Sequence, residues 1–145
     1  MKPILLLLML SLSLFAQMNF SDPQPSFEAP RKWVIRISTN DLETINHTLD
    51  TVNNVLKEYP PESLKVALIF YAKGVRVIKK DFDAKTLARI KSLTAYEIEL
   101  IACKNTMESM SWQTGDLIEG VSYVQAGVAE VIERVNGGWI DVTPY

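Results

Sequence analysis

The chain holds a single cysteine, Cys103, in the stretch Leu100 to Ser109, "LIACKNTMES". An apolar run leads into it, and a polar run able to start a helix follows it. The thiolate, not the thiol, is the nucleophile, so reactivity is set by the thiol pKa. A thiol at the start of a helix meets that helix's unpaired N–H groups and its partial positive charge, and both favour the thiolate. Asn105, with Glu108 three residues on, marks the expected helix start. Lys104 is adjacent in sequence and adds positive charge. The competing reading is a strand-end cysteine buried as a small apolar residue. Spacing alone leaves both readings open.

The other chemistry-bearing types lend little to this residue. His47 is the sole histidine. It falls about 200° from Ile45 on a helical wheel, opposite the apolar face, and reads as a solvated surface group. One histidine and one cysteine support neither a zinc site nor a Cys-His pair, so no metal is expected. There is no CxxC, no CxxCH, no GxGxxG and no GxxxxGK[ST], so no dithiol, haem or nucleotide cofactor is expected. "STNDLET", Ser38 to Thr44, resembles a phosphate-binding turn, but ordinary helix capping accounts for it fully. Lys73, Arg76, Lys79 and Lys80 form a basic cluster. It reads first as a solvated face, and second as a holder of an anionic substrate near Cys103. Met107, Met110 and Trp112, at helical spacing, read as core or as an interface.

The elements that must position Cys103 alternate along the chain. "KWVIRIS", Lys32 to Ser38, is a short β-rich run. A helix follows, with Leu42, Ile45, Leu49, Val52 and Leu56 on one face and Asn40 with Glu43 as its capping box. Pro60 and Pro61 stop it. "LKVALIFYA", Leu64 to Ala72, is continuously apolar, as in a strand covered on both faces. Val75 to Lys80 forms a short helix. Asp83 caps "AKTLARIKSL", which turns Leu87, Ile90 and Leu93 inward. "EIELIA", Glu97 to Ala102, is the third strand and "VSYVQ", Val121 to Gln125, the fourth. Val128, Val131, Ile132 and Val135 then form an i, i+3, i+4, i+7 stripe. Asn136 and Gly137 end that helix, and "WIDVT", Trp139 to Thr143, is the last strand.

Strand and helix in alternation imply right-handed crossovers, a mostly parallel five-stranded sheet and helices on both faces. The strand order is not legible from this pattern. Ligands in such sheets bind beyond the carboxyl ends of the strands. Parallel topology gathers there Ser38 to Asp41, then Tyr71, Lys73 and Gly74, then Cys103, Lys104 and Asn105, and finally Gln125 to Gly127. The expected nucleophile is Cys103, and the expected substrate-binding residues are Lys104, Asn105 and Lys73.

Composition bounds where this happens. Residues 1–16, "MKPILLLLMLSLSLFA", have the positive start, the short apolar run and the small final residue of a secretory signal peptide. The run is short for a membrane span, which needs about 20 residues. Cleavage removes Lys2 and no acid, so the formal charge passes from −2 to −3. That balance argues against nucleic-acid binding by bulk electrostatics. Residues 17–31, with three prolines, read as a linker or arm, and residues 32–145 as one α/β domain. The expected location is a bacterial periplasm, with no membrane attachment after cleavage. That compartment oxidises thiols, and a lone cysteine there is an inert buried thiol, an intermolecular partner or a reactive group.

From about Lys32 to Pro144 the chain resembles the DsrE/DsrF-like family, the group associated with sulfur relay. The resemblance is carried by "VIRIST" followed by "ND", by "VALIFYAKGV", by "ACKNTM" above all, and by "GVSYVQAGVAEVIERVNGGWIDVTP". It implies a flavodoxin-like three-layer α/β/α domain that assembles into homo- or hetero-oligomers. It further implies that Cys103 stands where the relay members carry a persulfide. The partners it implies are further copies of the chain, a small sulfur-containing anion, or another sulfur-relay protein. Relay members act in the cytoplasm, whereas this chain has the mark of export. The alternative reading is a non-catalytic oligomeric module of the same fold that binds a ligand or a protein.

Overall fold

The computed structural model describes residues 17–145, so the expected signal peptide lies outside the described residues. Five strands and four α-helices follow in order: β1 (Arg31–Ile37), α1 (Leu42–Glu58), β2 (Leu64–Phe70), α2 (Ala84–Leu93), β3 (Glu99–Cys103), α3 (Lys104–Ser109), β4 (Val121–Val124), α4 (Gly127–Asn136) and β5 (Ile140–Asp141). The short helix expected at Val75 to Lys80 is a 3-10 segment over Ala72–Ile78. All strand pairs are parallel, in the order β4-β3-β2-β1-β5. This is the α/β/α arrangement of a flavodoxin-like domain. β2 lies at the centre, which explains its unbroken apolar sequence: Val66 to Phe70 are buried on both faces.

The two faces of the sheet are covered unequally. On one, Trp33, Ile35, Ile37, Val66, Leu68, Phe70, Leu100 and Ala102 meet Ile45, Leu49 and Val52 of α1 and Leu87, Ile90 and Leu93 of α2. Each of the larger of these side chains contributes about 1.5–3 kcal/mol on leaving water, so this face holds most of the hydrophobic stabilisation. Arg89 of α2 ties the two helices by pairing with Asp50 and donating to Asn46 Oδ1 at 2.7 Å. On the other face Val34, Ala67, Ile69 and Ile101 are met by one buried helical side chain, Val131 of α4.

That inequality shows in α4. Its apolar stripe is real, but only Val131 turns inward, whereas Val128 and Ile132 are 51% and 60% exposed and Val135 is also exposed. The periodicity marks an apolar face and cannot say what covers it. Leu42 is likewise exposed, because it stands at the very start of α1.

Capping shows a correction. α1 is capped by Asp41, whose carboxylate accepts from the Thr44 amide at 2.9 Å, and not by an Asn40 box. α2 begins as expected, with Asp83 accepting from the Thr86 amide at 2.8 Å. The C-terminal tail is tied to β1 by the Trp33 indole, which donates to the Val142 carbonyl at 2.7 Å, and by Arg36 paired with Asp141. The arm before β1 has no regular structure. It is held where Phe20 packs on Tyr59 and Arg31 donates to the Ser21 and Pro23 carbonyls.

Candidate functional site

The strand order creates one place where the chain diverges. α3 follows β3 onto the face packed by α1 and α2, sending Met107 into that core. α4 follows β4 onto the opposite face. β3 and β4 are neighbours, so their outgoing connections part to opposite sides and leave a crevice between them. This is the topological switch point at which open α/β sheets bind ligands. Cys103 is the last residue of β3, paired with Val124 of β4, and lies in that crevice.

Cys103 also occupies the N-cap position of α3, with an extended backbone. The residues usual there are Ser, Thr, Asp and Asn, whose oxygens accept from the helix's first amides. A thiol is a weak acceptor, so the first amides of α3 face the sulfur without a regular cap hydrogen bond. It is 5% exposed, and Sγ–H donates to the Gln125 carbonyl at 3.7 Å. Burial pushes the thiol pKa up. The amides of Gly127, Thr106 and Asn105 and the Thr106 hydroxyl push it down, and together they prevail, leaving it below its ordinary value of 9.0. The donors are dipoles; neither Lys73 nor Lys104 is among the groups that shift it.

Three neighbours build this pocket of donors. Gly127, the first residue of α4, comes so close that a Cβ on it would stand 3.2 Å from Cys103 Cβ, 3.2 Å from Tyr71 Cβ and 3.3 Å from Ile69 Cγ2. Any side chain there would have to push these neighbours back by a few tenths of an ångström, so glycine is what lets the start of α4 lie this close to Cys103. Thr106 joins α3 to the end of β2, its Oγ1 accepting from the Ala72 amide at 3.0 Å. Gln125 clasps α3 from the β4 side. Its carbonyl accepts from the Asn105 amide at 3.0 Å, and its side-chain amide donates to Asn105 Oδ1 at 2.5 Å and to Glu108 at 3.4 Å.

The residues expected from sequence fall into place unequally. Cys103 and Asn105 share the crevice. Lys104 is exposed at the first position of α3, and Lys73 is exposed in the 3-10 segment after β2. In the basic cluster, Arg76 and Lys79 are taken up by Asp81 at 2.7 and 3.8 Å, and Lys79 also sits over the Trp112 ring. His47 is exposed and packs beside Tyr145, as its wheel position implies. Among the described residues no three His, Cys, Asp or Glu side chains gather as metal ligands do. No helix among them is long and apolar enough to cross a membrane.

Sequence reasoning did not single out Thr106 and Gly127. A glycine directly between a strand and a helix is the signal that points to Gly127, since it marks close backbone approach. Nothing in the sequence marks Thr106, whose role depends on which strand lies beside β3. An open groove of about 790 Å³ lies at the other end of the sheet, against Leu56, Tyr59, Leu64 and Tyr96. It adjoins the starts of β2 and β3, away from Cys103.

Comparison with known proteins agrees with this architecture. The sequence profile of the DsrE/DsrF-like family matches residues 34–141. No curated protein matches the chain. Among solved structures the fold is similar to MTH1491 of Methanobacterium thermoautotrophicum, itself of unknown function. That match has a TM-score of 0.73 and 26% identity, and covers 79% of this chain and 99% of that one. It is also similar to the YchN protein of E. coli, with a TM-score of 0.60 and 15% identity over 80% of this chain and 99% of that one; this second likeness is one of fold. With most of the described residues matched, the chain belongs to the DsrE/DsrF-like family, a family related to sulfur relay.

Proposed function

We propose that this protein is an exported sulfur carrier or sulfurtransferase that holds a persulfide on Cys103. The observation that carries the proposal is the thiol itself, enclosed at the β3–β4 switch point by donors that lower its pKa. The thiolate attacks the outer sulfur of a sulfane donor such as a polysulfide or a thiosulfate-like anion. The donor's S–S bond breaks as the Cys103 Sγ–S bond forms, and the leaving sulfite, or the polysulfide shortened by one sulfur, departs with the bonding electron pair. The same amides then stabilise the negative charge on the persulfide. Lys73, Lys104 and Asn105 are exposed, and in this reading they would receive an anionic donor. Export rests on the leader at residues 1–16, and periplasmic fractionation of the full chain tests it.

Mass spectrometry after incubation with polysulfide tests the chemistry. The expected result is one labile sulfur atom on Cys103, released by reductant and missing from Cys103→Ser. If Cys103 gains none while a free thiol in the same sample does, the carrier reading fails.

A second reading is favoured by a different observation, the exposed stripe of Val128, Ile132 and Val135 on α4. The domain would assemble with further copies through that face and act as a non-catalytic binding module. Self-assembly is compatible with the carrier reading too. What separates them is whether Cys103→Ser abolishes function or leaves it intact.

A further inference from the structure

The hydroxyl of Thr106 does not bond back to its own helix as several others in this protein do; Thr86, which donates to the Asp83 carboxylate and accepts from Asn46, is a second exception. Thr48 and Thr51 donate back to the carbonyl four residues earlier, and Ser92, Thr94 and Ser109 to the one three residues earlier. Such back-bonding is the ordinary fate of a helical hydroxyl. Among the described residues Thr106 Oγ1 makes no such bond. It accepts instead, from the Ala72 amide at 3.0 Å. A hydroxyl has one proton to give, and that acceptor role leaves the proton free to point elsewhere.

The donor to Thr106 is held firmly. Ala72 has a φ of 48°, a left-handed conformation unusual for a residue with a side chain. The turn around it is closed by the Gly74 amide, which donates to the Tyr71 carbonyl at 2.9 Å. Gly74 lies so tightly on the end of β1 that a Cβ there would stand 1.8 Å from the Ile37 carbonyl oxygen. Strain of this kind persists where the surroundings over-determine it. The result is a fixed N–H that orients Thr106 from the side opposite the thiol's strand partner, β4.

We propose that the Thr106 hydroxyl, oriented by the Ala72 amide, donates a hydrogen bond to the Cys103 sulfur and is the side chain that activates it. Thr106 is the third residue after Cys103, on the first turn of α3, where a side chain can reach back to the N-cap. The ionisable side chains on the segments that meet here are Lys73 and Tyr71 after β2, Lys104 and Glu108 on α3, and Glu130 on α4. Glu108 is engaged by Gln125 and Glu130 by Arg134. The lowered pKa of the thiol, with this hydroxyl among its causes, agrees with the assignment. The proposal rests on the carrier reading for its purpose but not for its measurement.

The test is the pH dependence of Cys103 alkylation by iodoacetamide in wild type, Thr106→Val and Thr106→Ser, with fold checked by circular dichroism. Valine keeps the shape and removes the hydroxyl; serine keeps the hydroxyl. The expected result is a midpoint about one pH unit higher in Thr106→Val, hence about tenfold less thiolate at neutral pH, with serine restoring the wild-type midpoint. An unchanged midpoint in Thr106→Val overturns the proposal, as does a serine variant that behaves like valine. If Thr106→Val does not fold, Thr106→Ala is read against the same two outcomes. Polysulfide loading of the wild type is scored separately. Loading with an unmoved midpoint sinks only the Thr106 assignment, and a moved midpoint without loading sinks only the carrier reading.

Discussion

Gly127 and Cys103 come from different strand ends, yet a Cβ added to Gly127 would lie 3.2 Å from the Cβ of Cys103. The start of α4 is thereby pressed against the thiol, and its first amide is one of the groups that favour the thiolate. Gly127→Ala forces this contact, and those to Tyr71 and Ile69, to open by a few tenths of an ångström. Overpacking of that kind costs about 1–3 kcal/mol, offset by up to about 1 kcal/mol of helix propensity. Urea denaturation is expected to show a net loss of about 1 kcal/mol. Alkylation of Cys103 at neutral pH is expected to slow as the amide withdraws.

A depressed thiol pKa makes stability depend on pH. The folded protein releases the Cys103 proton at a lower pH than the unfolded chain, so in the window between the lowered value and 9.0 the unfolded chain binds more protons. Stability from this group therefore rises with pH across that window and is lost as pH falls through the folded pKa. The unfolding free energy of wild type relative to Cys103→Ser, measured under reducing conditions, should grow from neutral pH toward 9.0. A flat difference would mean that the thiol is not acidified by the fold.

The exposed stripe on α4 predicts assembly. Ile132 is 60% exposed, so Ile132→Glu should leave the isolated chain's stability within about 0.5 kcal/mol. Light scattering coupled to size exclusion should find wild type at a multiple of the chain mass and Ile132→Glu at a smaller one. A monomeric wild type at micromolar concentration would remove the interface.

Arg134 fastens α4 at its far end. Its guanidinium donates twice to Glu99 at the start of β3, at 2.6 and 3.1 Å, accepts the company of Glu130, and lies 4.4 Å above the Trp139 ring. Among the described residues α4 is the one helix packed on its face of the sheet, so this fastening matters more than a surface ion pair usually does. Arg134→Ala is expected to cost about 1–2 kcal/mol in denaturant unfolding. Arg134→Lys should recover only part of it, since lysine cannot make the paired contact.

Much of this protein is determined by local pattern. Alternating β-rich and 3.6-period segments specify an α/β chain, because each period buries one face of one element. The inward residues of α1 and α2 follow from that period, and Asp83 is legible as a cap because capping chemistry is local. Cys103 stands out by its position between an apolar strand and a helix start. Only the tertiary structure decided the rest. The order β4-β3-β2-β1-β5 puts β3 beside β4 and makes the end of β3 a switch point, and nothing in either strand encodes its neighbour. The outward turn of α4's stripe depends on how the helix is set against the sheet, which the helix's own period does not encode. The donors around the sulfur come from Thr106 on α3, steered by the loop after β2, and from Gly127 after β4. They meet only because three strand ends converge, so the chemistry expected of Cys103 depends on distances that span the chain.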